Sequence, residues 1–271
     1  MSYRSALSDV LTGVVGPVAE ATRVQGRFPR GAVTALGRAG LLGLTVATEL
    51  GGGGRGLPEV VDVVTRAARV CPATAAVLRS HYAAVAVIET YGTPWMRGEI
   101  AAGRHLASLA LAESQADGDP AGAEDDGPGA ETQLLVARSV ATRSGDVVAL
   151  RARKRRVVAA GEADVYVWSS RPLAAPDGLT LWAVPAHAPD LFVPARPGAT
   201  GPRGSATSTV FADPVLVPVE AMLGGDGGGL DIVLRTVLPW LLELRAAAGT
   251  VRPPALDLGG ARRPAGSLAA S

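Results

Sequence analysis

The chain has 271 residues, a length typical of one large domain or two small ones. Hydrophobic residues make up 48% of it and charged residues 19%, which excludes disorder throughout. The 26 basic and 25 acidic residues nearly cancel, so we do not expect a polycation that binds nucleic acid. Cys71 is the single cysteine, which rules out an internal disulfide framework and a multi-cysteine metal site.

Neither a membrane span nor a secretory signal is expected from the sequence. A span needs about 18 or more apolar residues with few or no charges, and no such run occurs. No apolar segment of the signal-peptide type follows the N-terminal methionine. These features predict a cytoplasmic protein that does not associate with a membrane.

Helical periodicity dominates the first hundred residues. Apolar spacing predicts a helix after Pro29, and Pro58 opens a second helix behind the glycine-rich segment at residues 51–56. Pro72 begins a third helix that is apolar nearly all round, which predicts a position in the core. A shorter helix is predicted from Pro94.

Short segments rich in β-formers follow Arg104. Bounded by Gly, Pro, Asp and Ser, they predict strands at residues 147–150, 164–168, 179–184, 209–211 and 215–217. The acidic residues 117–132 predict a loop, and helical character returns at residues 230–248, where Pro239 should interrupt the helix. The order of helices, strands and one further helix predicts an α+β fold.

Five segments resemble, in order, the motifs of the acyl-CoA dehydrogenase family. They read FPRGAVTALGRAGLLGLTVATELGGGGRGL at residues 28–57, ARVCPATAAVL at 68–78, YGTPWMRGEIAAGRHLASLALAES at 91–114, AGEADVYVW at 160–168 and GPRGSATSTVFADPVLVPVEAMLGG at 201–225. The resemblance covers about residues 28–249. Each segment alone is weak, but their shared order indicates common ancestry.

The resemblance implies a division of the chain into domains. It predicts an N-terminal helical domain at residues 1–104 and a small β-barrel domain at residues 105–224. Residues 225–249 then match one helix of the family's C-terminal four-helix domain, most of which has no counterpart here. Residues 250–271 are rich in Pro, Gly and Ala and predict a disordered tail.

The resemblance also implies a place for FAD between the β domain and the C-terminal helices. The family positions that contact flavin correspond to Leu111, Ala112, Glu113, Arg156, Val157 and Val158. Several are substituted: Ala112 replaces a threonine, Arg156 a tryptophan and Val158 a hydroxyl residue. Because each lost hydrogen bond is worth about 0.5–1.5 kcal/mol, we expect the chain alone to hold FAD weakly. No catalytic base can be matched, and no metal is expected.

Other polar residues have two interpretations each. The basic run at residues 153–156 is either an anion site or a solvated strand edge. The resemblance implies substrate contacts at Ser114, Arg203 and Ser205, although the last two also suit a structural turn. Glu113 and Asp119 suit acid–base chemistry if buried, or ordinary turns and caps.

Two functional hypotheses follow. The first is an acyl-CoA dehydrogenase-like oxidoreductase that acts on an acyl thioester, carried by CoA or a carrier protein, and needs a partner subunit to hold FAD. The second is a flavin-free member of secondary metabolism that uses the pocket to bind a natural-product intermediate, or to isomerise, dehydrate or cyclise it. The apolar helix at residues 230–248 predicts homo- or hetero-oligomerisation.

Overall fold

The computed structural model describes residues 2–113, 133–194 and 201–249, and it begins with a helical region. The helices of this region are α1 (Tyr3–Val10), α2 (Gly16–Gln25), α3 (Arg30–Arg38), α4 (Leu57–Val70), α5 (Pro72–Tyr91) and α6 (Pro94–Ala101). A π-helical turn, Leu11–Val15, joins α1 to α2. The proline-initiated helices predicted from the sequence are confirmed, since Pro58, Pro72 and Pro94 all lie in a first turn.

Helix α5 is the centre of the helical region. It is apolar on nearly every side, and its faces pack against α4, the C-terminal helix and the first strand. His81 and Tyr82 are both fully buried in it and donate hydrogen bonds to the carbonyls of Leu42 and Leu41. These bonds hold the turn after α3 against the core.

The strands follow the helices, as predicted. They are β1 (Ala107–Ala110), β2 (Val140–Ser144), β3 (Val147–Val157), β4 (Val165–Ser170), β5 (Thr180–Pro185), β6 (Leu191–Phe192), β7 (Ser208–Pro218) and β8 (Met222–Leu223). They form two four-stranded sheets, with orders β1-β4-β5-β8 and β2-β3-β7-β6. The β1–β4 pair is parallel, and all other pairs are antiparallel.

Strands β3 and β7 are longer than the sequence pattern suggested. The two short segments predicted on either side of Asp213 and Pro214 form one strand, β7. A register shift in the pairing with β3, between Leu150 and Ala152, lets the strand continue through these residues. A second shift lies between Lys154 and Val157. The basic run therefore continues the strand that the sequence predicted only for residues 147–150.

The C-terminal helical segment has three parts. Helix α7 (Gly229–Ile232) leads into a π-helical turn (Val233–Val237), and α8 (Leu238–Gly249) follows. Pro239 is the second residue of α8, directly after the π turn, which confirms the predicted interruption. In the described residues, no helix is long and apolar enough to cross a membrane.

Buried side chains connect the helices to the two sheets. One core cluster joins α1, α3, α4 and α5 to strands from both sheets, and includes Trp168 and Trp182. A second cluster joins α5 and α6 to β4, β5 and the π turn before α8. The predicted boundary at residues 104 and 105 falls between α6 and β1, and the division into domains remains a proposal.

Candidate functional site

A cavity of about 380 Å³ lies where α5, β1, β3 and α8 meet. Its size suits a small organic ligand. Helices, strands and the turn at residues 201–207 all contribute to its wall. The lining residues in the described ranges are Ala76, Arg79, Ser80, Leu109, Leu111, Ala112, Gln133, Leu134, Arg155, Arg156, Val158, Gly201, Pro202, Thr207, Leu241 and Arg245.

Helical spacing explains the contribution of the two helices. Ala76, Arg79 and Ser80 are three and four residues apart on α5, so they share one face. Leu241 and Arg245 are four residues apart on α8 and share a face for the same reason. Arg79 is the one charged residue of α5 before Glu89, a signal in the sequence that could have identified it.

A β-bulge brings two consecutive arginines to the cavity. Lys154 pairs with Val210 and Val157 pairs with Ser208, so β3 holds one residue more than β7 between these pairs. The extra residue breaks the strict alternation of side chains, and both Arg155 and Arg156 line the cavity.

Arg156 has a left-handed backbone conformation, with φ of 55°. Ala159 follows with φ of 54°, and its amide donates to the carbonyl of Ser205 at 2.9 Å. Left-handed conformations cost non-glycine residues roughly 1 kcal/mol or more, and they cluster at functional sites. The strained residue Arg156 is one of those that line the cavity.

The turn at residues 201–207 is held from within by Ser205. This fully buried side chain bonds the Pro202 carbonyl at 2.7 Å and the Thr207 hydroxyl at 2.7 Å. Pro202 and Thr207 line the cavity, whereas Ser205 itself does not. The guanidinium of Arg203 lies beside Gly26 at the end of α2, so the structure does not bring it into the cavity wall.

Glu113 and Lys154 form a buried ion pair next to the cavity. Lys154 also donates to the Ser169 carbonyl at 2.6 Å and the Ser169 hydroxyl at 2.8 Å. Glu113 accepts from the amides of Arg138 and Ser139 at 2.8 and 2.9 Å, and from the Ser139 hydroxyl at 2.6 Å. Neither Glu113 nor Lys154 lines the cavity.

Both members of the pair are ionised at neutral pH. Burial opposes the charge on Glu113, but Lys154 and the surrounding donors outweigh it and hold the pKa of Glu113 below its usual value. Burial lowers the pKa of Lys154 to about 8 against the attraction of Glu113. The interpretation of the whole basic run as a solvated edge is therefore wrong for Lys154, while Arg153 is exposed above the Phe211 ring.

His81 is a structural group of the core. Its Nδ1 accepts the Ala107 amide at 3.1 Å, so the hydrogen lies on Nε2, which donates to the Leu42 carbonyl at 2.9 Å. Burial lowers the pKa of His81 to about 4. Among residues 2–113, 133–194 and 201–249, no group of three or more His, Cys, Asp or Glu is placed to hold a metal ion.

The structure places only some of the residues to which the resemblance assigns flavin contacts in the cavity wall. Leu111, Ala112, Arg156 and Val158 line the cavity, whereas Val157 is buried outside its wall and Glu113 lies outside it in the ion pair with Lys154. Ser114, Asp119 and residues 250–271 lie outside the described residues. The family resemblance assigned no role to Arg79 or Arg245, which line the cavity from helices far apart in the chain.

The cavity wall does not fit a flavin ring held in the family's way. Ala112 and Val158 have aliphatic side chains where the resemblance requires hydroxyls. Their carbonyls are engaged as well: that of Ala112 accepts the Arg155 amide at 2.8 Å, and that of Val158 accepts the Ser108 hydroxyl at 2.5 Å. The ring would therefore lose hydrogen bonds on which its orientation depends.

Comparison with known proteins gives consistent similarities to the acyl-CoA dehydrogenases. Residues 2–103 match the family model described as acyl-CoA dehydrogenase, N-terminal domain. The chain is 24% identical over 241 residues to the short-chain specific acyl-CoA dehydrogenase of Clostridium acetobutylicum, covering 86% of this chain and 60% of that protein. It spans 60–65% of the length of such curated relatives.

Solved structures show the same fold. Butyryl-CoA dehydrogenase from Megasphaera elsdenii superposes with a TM-score of 0.77 at 21% identity, covering 91% of this chain and 63% of that one. FkbI, for biosynthesis of the methoxymalonyl extender unit of Fk520, gives a TM-score of 0.73 at 24% identity, covering 91% and 65%. Residues 2–103 are therefore similar to the acyl-CoA dehydrogenase N-terminal domain, and the chain shares with the acyl-CoA dehydrogenases the fold of a helical region followed by a sheet region.

Proposed function

We propose that this chain binds an acyl thioester, carried by CoA or by a carrier protein, or a related biosynthetic intermediate, in the cavity between α5, β3 and α8. One observation carries the proposal. The cavity lies at the segments that match the family's flavin segments, but Ala112 and Val158 line it without hydroxyl groups. The chain thus keeps space for a ligand and lacks the hydrogen bonds that would hold a flavin ring.

An α,β-oxidoreductase role requires a second subunit in this proposal. Removing two hydrogens from an acyl thioester needs an organic electron acceptor, which side chains do not provide. The relatives named as acyl-CoA dehydrogenases support this chemistry by ancestry. A partner of the same family would supply the FAD contacts and the catalytic base, since no described residue is assigned that role.

The C-terminal helical segment, residues 230–248, is the proposed surface for that partner or for a second copy of the chain. Leu234 is 48% exposed and Leu242 is 52% exposed, and apolar surface of this kind usually marks an interface. The same segment contributes Leu241 and Arg245 to the cavity. A subunit covering this helix would therefore also lie beside the ligand.

The second candidate is a flavin-free protein that isomerises, dehydrates or cyclises an intermediate, or only binds it. The substitution pattern favours this candidate. Arg156 occupies the position where the family tryptophan covers the ring, and a strained backbone holds it in the wall. A charged side chain at this position suits a polar ligand group better than it suits the face of an aromatic ring.

Binding measurements with the purified chain test the proposal. Crotonyl-CoA should bind, measured by calorimetry, while added FAD should be lost on dialysis. The variant Leu241→Trp fills the cavity from α8 and should abolish thioester binding, and Leu242→Trp, on the exposed neighbouring position, should not. Stoichiometric retention of FAD, or equal effects of the two tryptophans, would overturn the proposal.

A further inference from the structure

The hydroxyl groups of Ser80 and Ser108 form a hydrogen-bonded pair at the cavity. Ser80 accepts the amide of Leu109 at 3.1 Å, and its oxygen lies 2.9 Å from that of Ser108. The Ser108 hydroxyl donates in turn to the Val158 carbonyl at 2.5 Å. Ser80 lines the cavity, whereas Ser108 is buried and lies outside its wall. The serine pair therefore connects α5 and β1 to the turn after β3.

The Val158 carbonyl fixes the direction of the hydrogen bonds in the serine pair. A carbonyl oxygen carries no hydrogen, so the single hydroxyl proton of Ser108 lies in the bond to Val158. Ser108 can then only accept from Ser80, and the single hydroxyl proton of Ser80 is committed to that bond. The Leu109 amide takes one of the two lone pairs of Ser80. Toward a ligand, Ser80 can therefore accept a hydrogen bond but cannot donate one.

Aliphatic residues contribute to the cavity wall beside Ser80. Ala76 lies four residues before Ser80 on the same face of α5, and Leu109, whose amide Ser80 accepts, also lines the cavity. This part of the wall suits the acyl part of a thioester. A polar ligand atom that enters such surroundings without a matching partner loses its bonds to water without replacement.

We propose that Ser80 selects an acyl thioester whose acyl part carries a hydroxyl group. This inference rests on the proposed function, because it names the substrate class of the same cavity. A ligand hydroxyl can donate to Ser80, whereas a ketone oxygen at the same carbon has no proton and would meet a second acceptor. Ser108 is a positioning residue in this proposal, since it takes up the Ser80 proton from outside the cavity wall.

Matched pairs of thioesters test the selection in the purified full chain. The pairs are 2-hydroxybutyryl-CoA with 2-oxobutyryl-CoA, and 3-hydroxybutyryl-CoA with acetoacetyl-CoA, each titrated by calorimetry. In at least one pair the hydroxy compound should bind about tenfold more tightly, because one complex has a hydrogen bond where the other has two acceptors. Thioester binding without this preference in either pair would overturn the inference and leave the proposed function standing. No binding of any of the four would overturn both.

Two variants assign the preference to the serine pair. Ser80→Ala removes the acceptor and should abolish the preference for the hydroxy compound. Ser108→Ala removes the group that takes up the Ser80 proton, so Ser80 becomes able to donate and the oxo compound should gain affinity relative to the hydroxy compound. An unchanged preference in Ser80→Ala would overturn the selection by Ser80, and an unchanged preference in folded Ser108→Ala would overturn the positioning role.

Ser170→Ala is the control for the loss of a buried serine hydroxyl. Ser170 lies on β4, the neighbour of β1, is fully buried and does not line the cavity. Its hydroxyl accepts the Trp182 indole at 2.9 Å and donates to the Arg171 carbonyl at 2.7 Å. Ser170→Ala should leave the preference unchanged, and a change equal to that of Ser108→Ala would overturn the positioning role. Circular dichroism verifies the fold of each variant, and Ser80→Ala decides the proposal if Ser108→Ala does not fold.

Discussion

The Nζ of Lys154 and the Oε1 of Glu113 form an ion pair inside the sheet region, with the lysine side chain fully buried and the glutamate side chain 7% exposed. The pair fixes the start of the segment after β1 to strand β3, through an isolated bridge between the same two residues. The pair therefore fixes the position of the part of β3 from which Arg155 and Arg156 reach the cavity. A buried pair of this type is sensitive to the loss of one member.

Glu113→Gln should destabilise the chain by about 3–5 kcal/mol, because it leaves the Lys154 charge buried without its carboxylate. Urea unfolding followed by circular dichroism measures the change. Arg23→Gln is the control: it breaks an ion pair with Glu20 in which both side chains are more than half exposed, so little or no change in the free energy of unfolding is expected. Similar losses for the two variants would contradict the role assigned to the buried pair.

The stability of the chain should fall between pH 6.5 and pH 4 because of His81. Its pKa is about 4 in the folded chain and about 6.5 when unfolded, so the unfolded state binds more protons in this window. The contribution of neutral His81 to the free energy of unfolding is complete above pH 6.5. About 3 kcal/mol of it is lost at pH 4.

His81→Gln is the matched variant for this pH effect. A glutamine amide can donate to the Leu42 carbonyl and accept the Ala107 amide, and it does not titrate. Urea titrations at several pH values should show a shallower decline for the variant than for the native chain. Parallel declines would assign the acid sensitivity to other groups.

Restoring the three family side chains should improve flavin binding. The variant Ala112→Thr, Arg156→Trp, Val158→Thr returns two hydroxyl groups and an aromatic face to the cavity wall. Two hydrogen bonds of about 0.5–1.5 kcal/mol each predict an affinity gain of about tenfold or more, measured by flavin fluorescence. Arg156→Trp alone is the control and should gain less, and an unchanged affinity in the triple variant would contradict the assignment of these positions.

Oligomerisation through residues 230–248 is tested by charge insertion. Leu242→Glu places a carboxylate in the exposed apolar surface of α8 and should shift the chain to a smaller species in size-exclusion chromatography with light scattering. Leu216→Glu, at a position 62% exposed on β7, is the matched control and should leave the distribution unchanged. A native chain that elutes as a monomer would argue against the interface.

The helices with strong apolar periodicity could be predicted from the sequence. The apolar, proline-initiated α5 could be predicted because its composition leaves no polar face. The resemblance assigned flavin contacts to Ala112 and Val158, and both of these residues line the cavity. The placement of Lys154 could not be predicted in the same way. Four consecutive basic residues give no apolar alternation, so nothing local tells which of them points into the core.

The cavity itself depends on contacts that no local pattern encodes. The bulge of β3 brings both Arg155 and Arg156 to the wall, and a bulge depends on the pairing with β7 and not on the strand alone. Arg79 and Arg245 meet there only because α5 packs against α8. Ser205 was predicted as a ligand contact, and the structure gives it the internal hydrogen bonds of the turn instead.

Equilibrium dialysis of the purified chain against FAD, read by the visible absorption of the retained protein, decides whether the chain alone holds a flavin. Because Ala112 and Val158 supply no hydroxyl groups to the ring, we predict a colourless protein after dialysis that still binds crotonyl-CoA. A yellow protein that retains FAD near one equivalent per chain would show that the cavity holds a flavin without these hydroxyl groups.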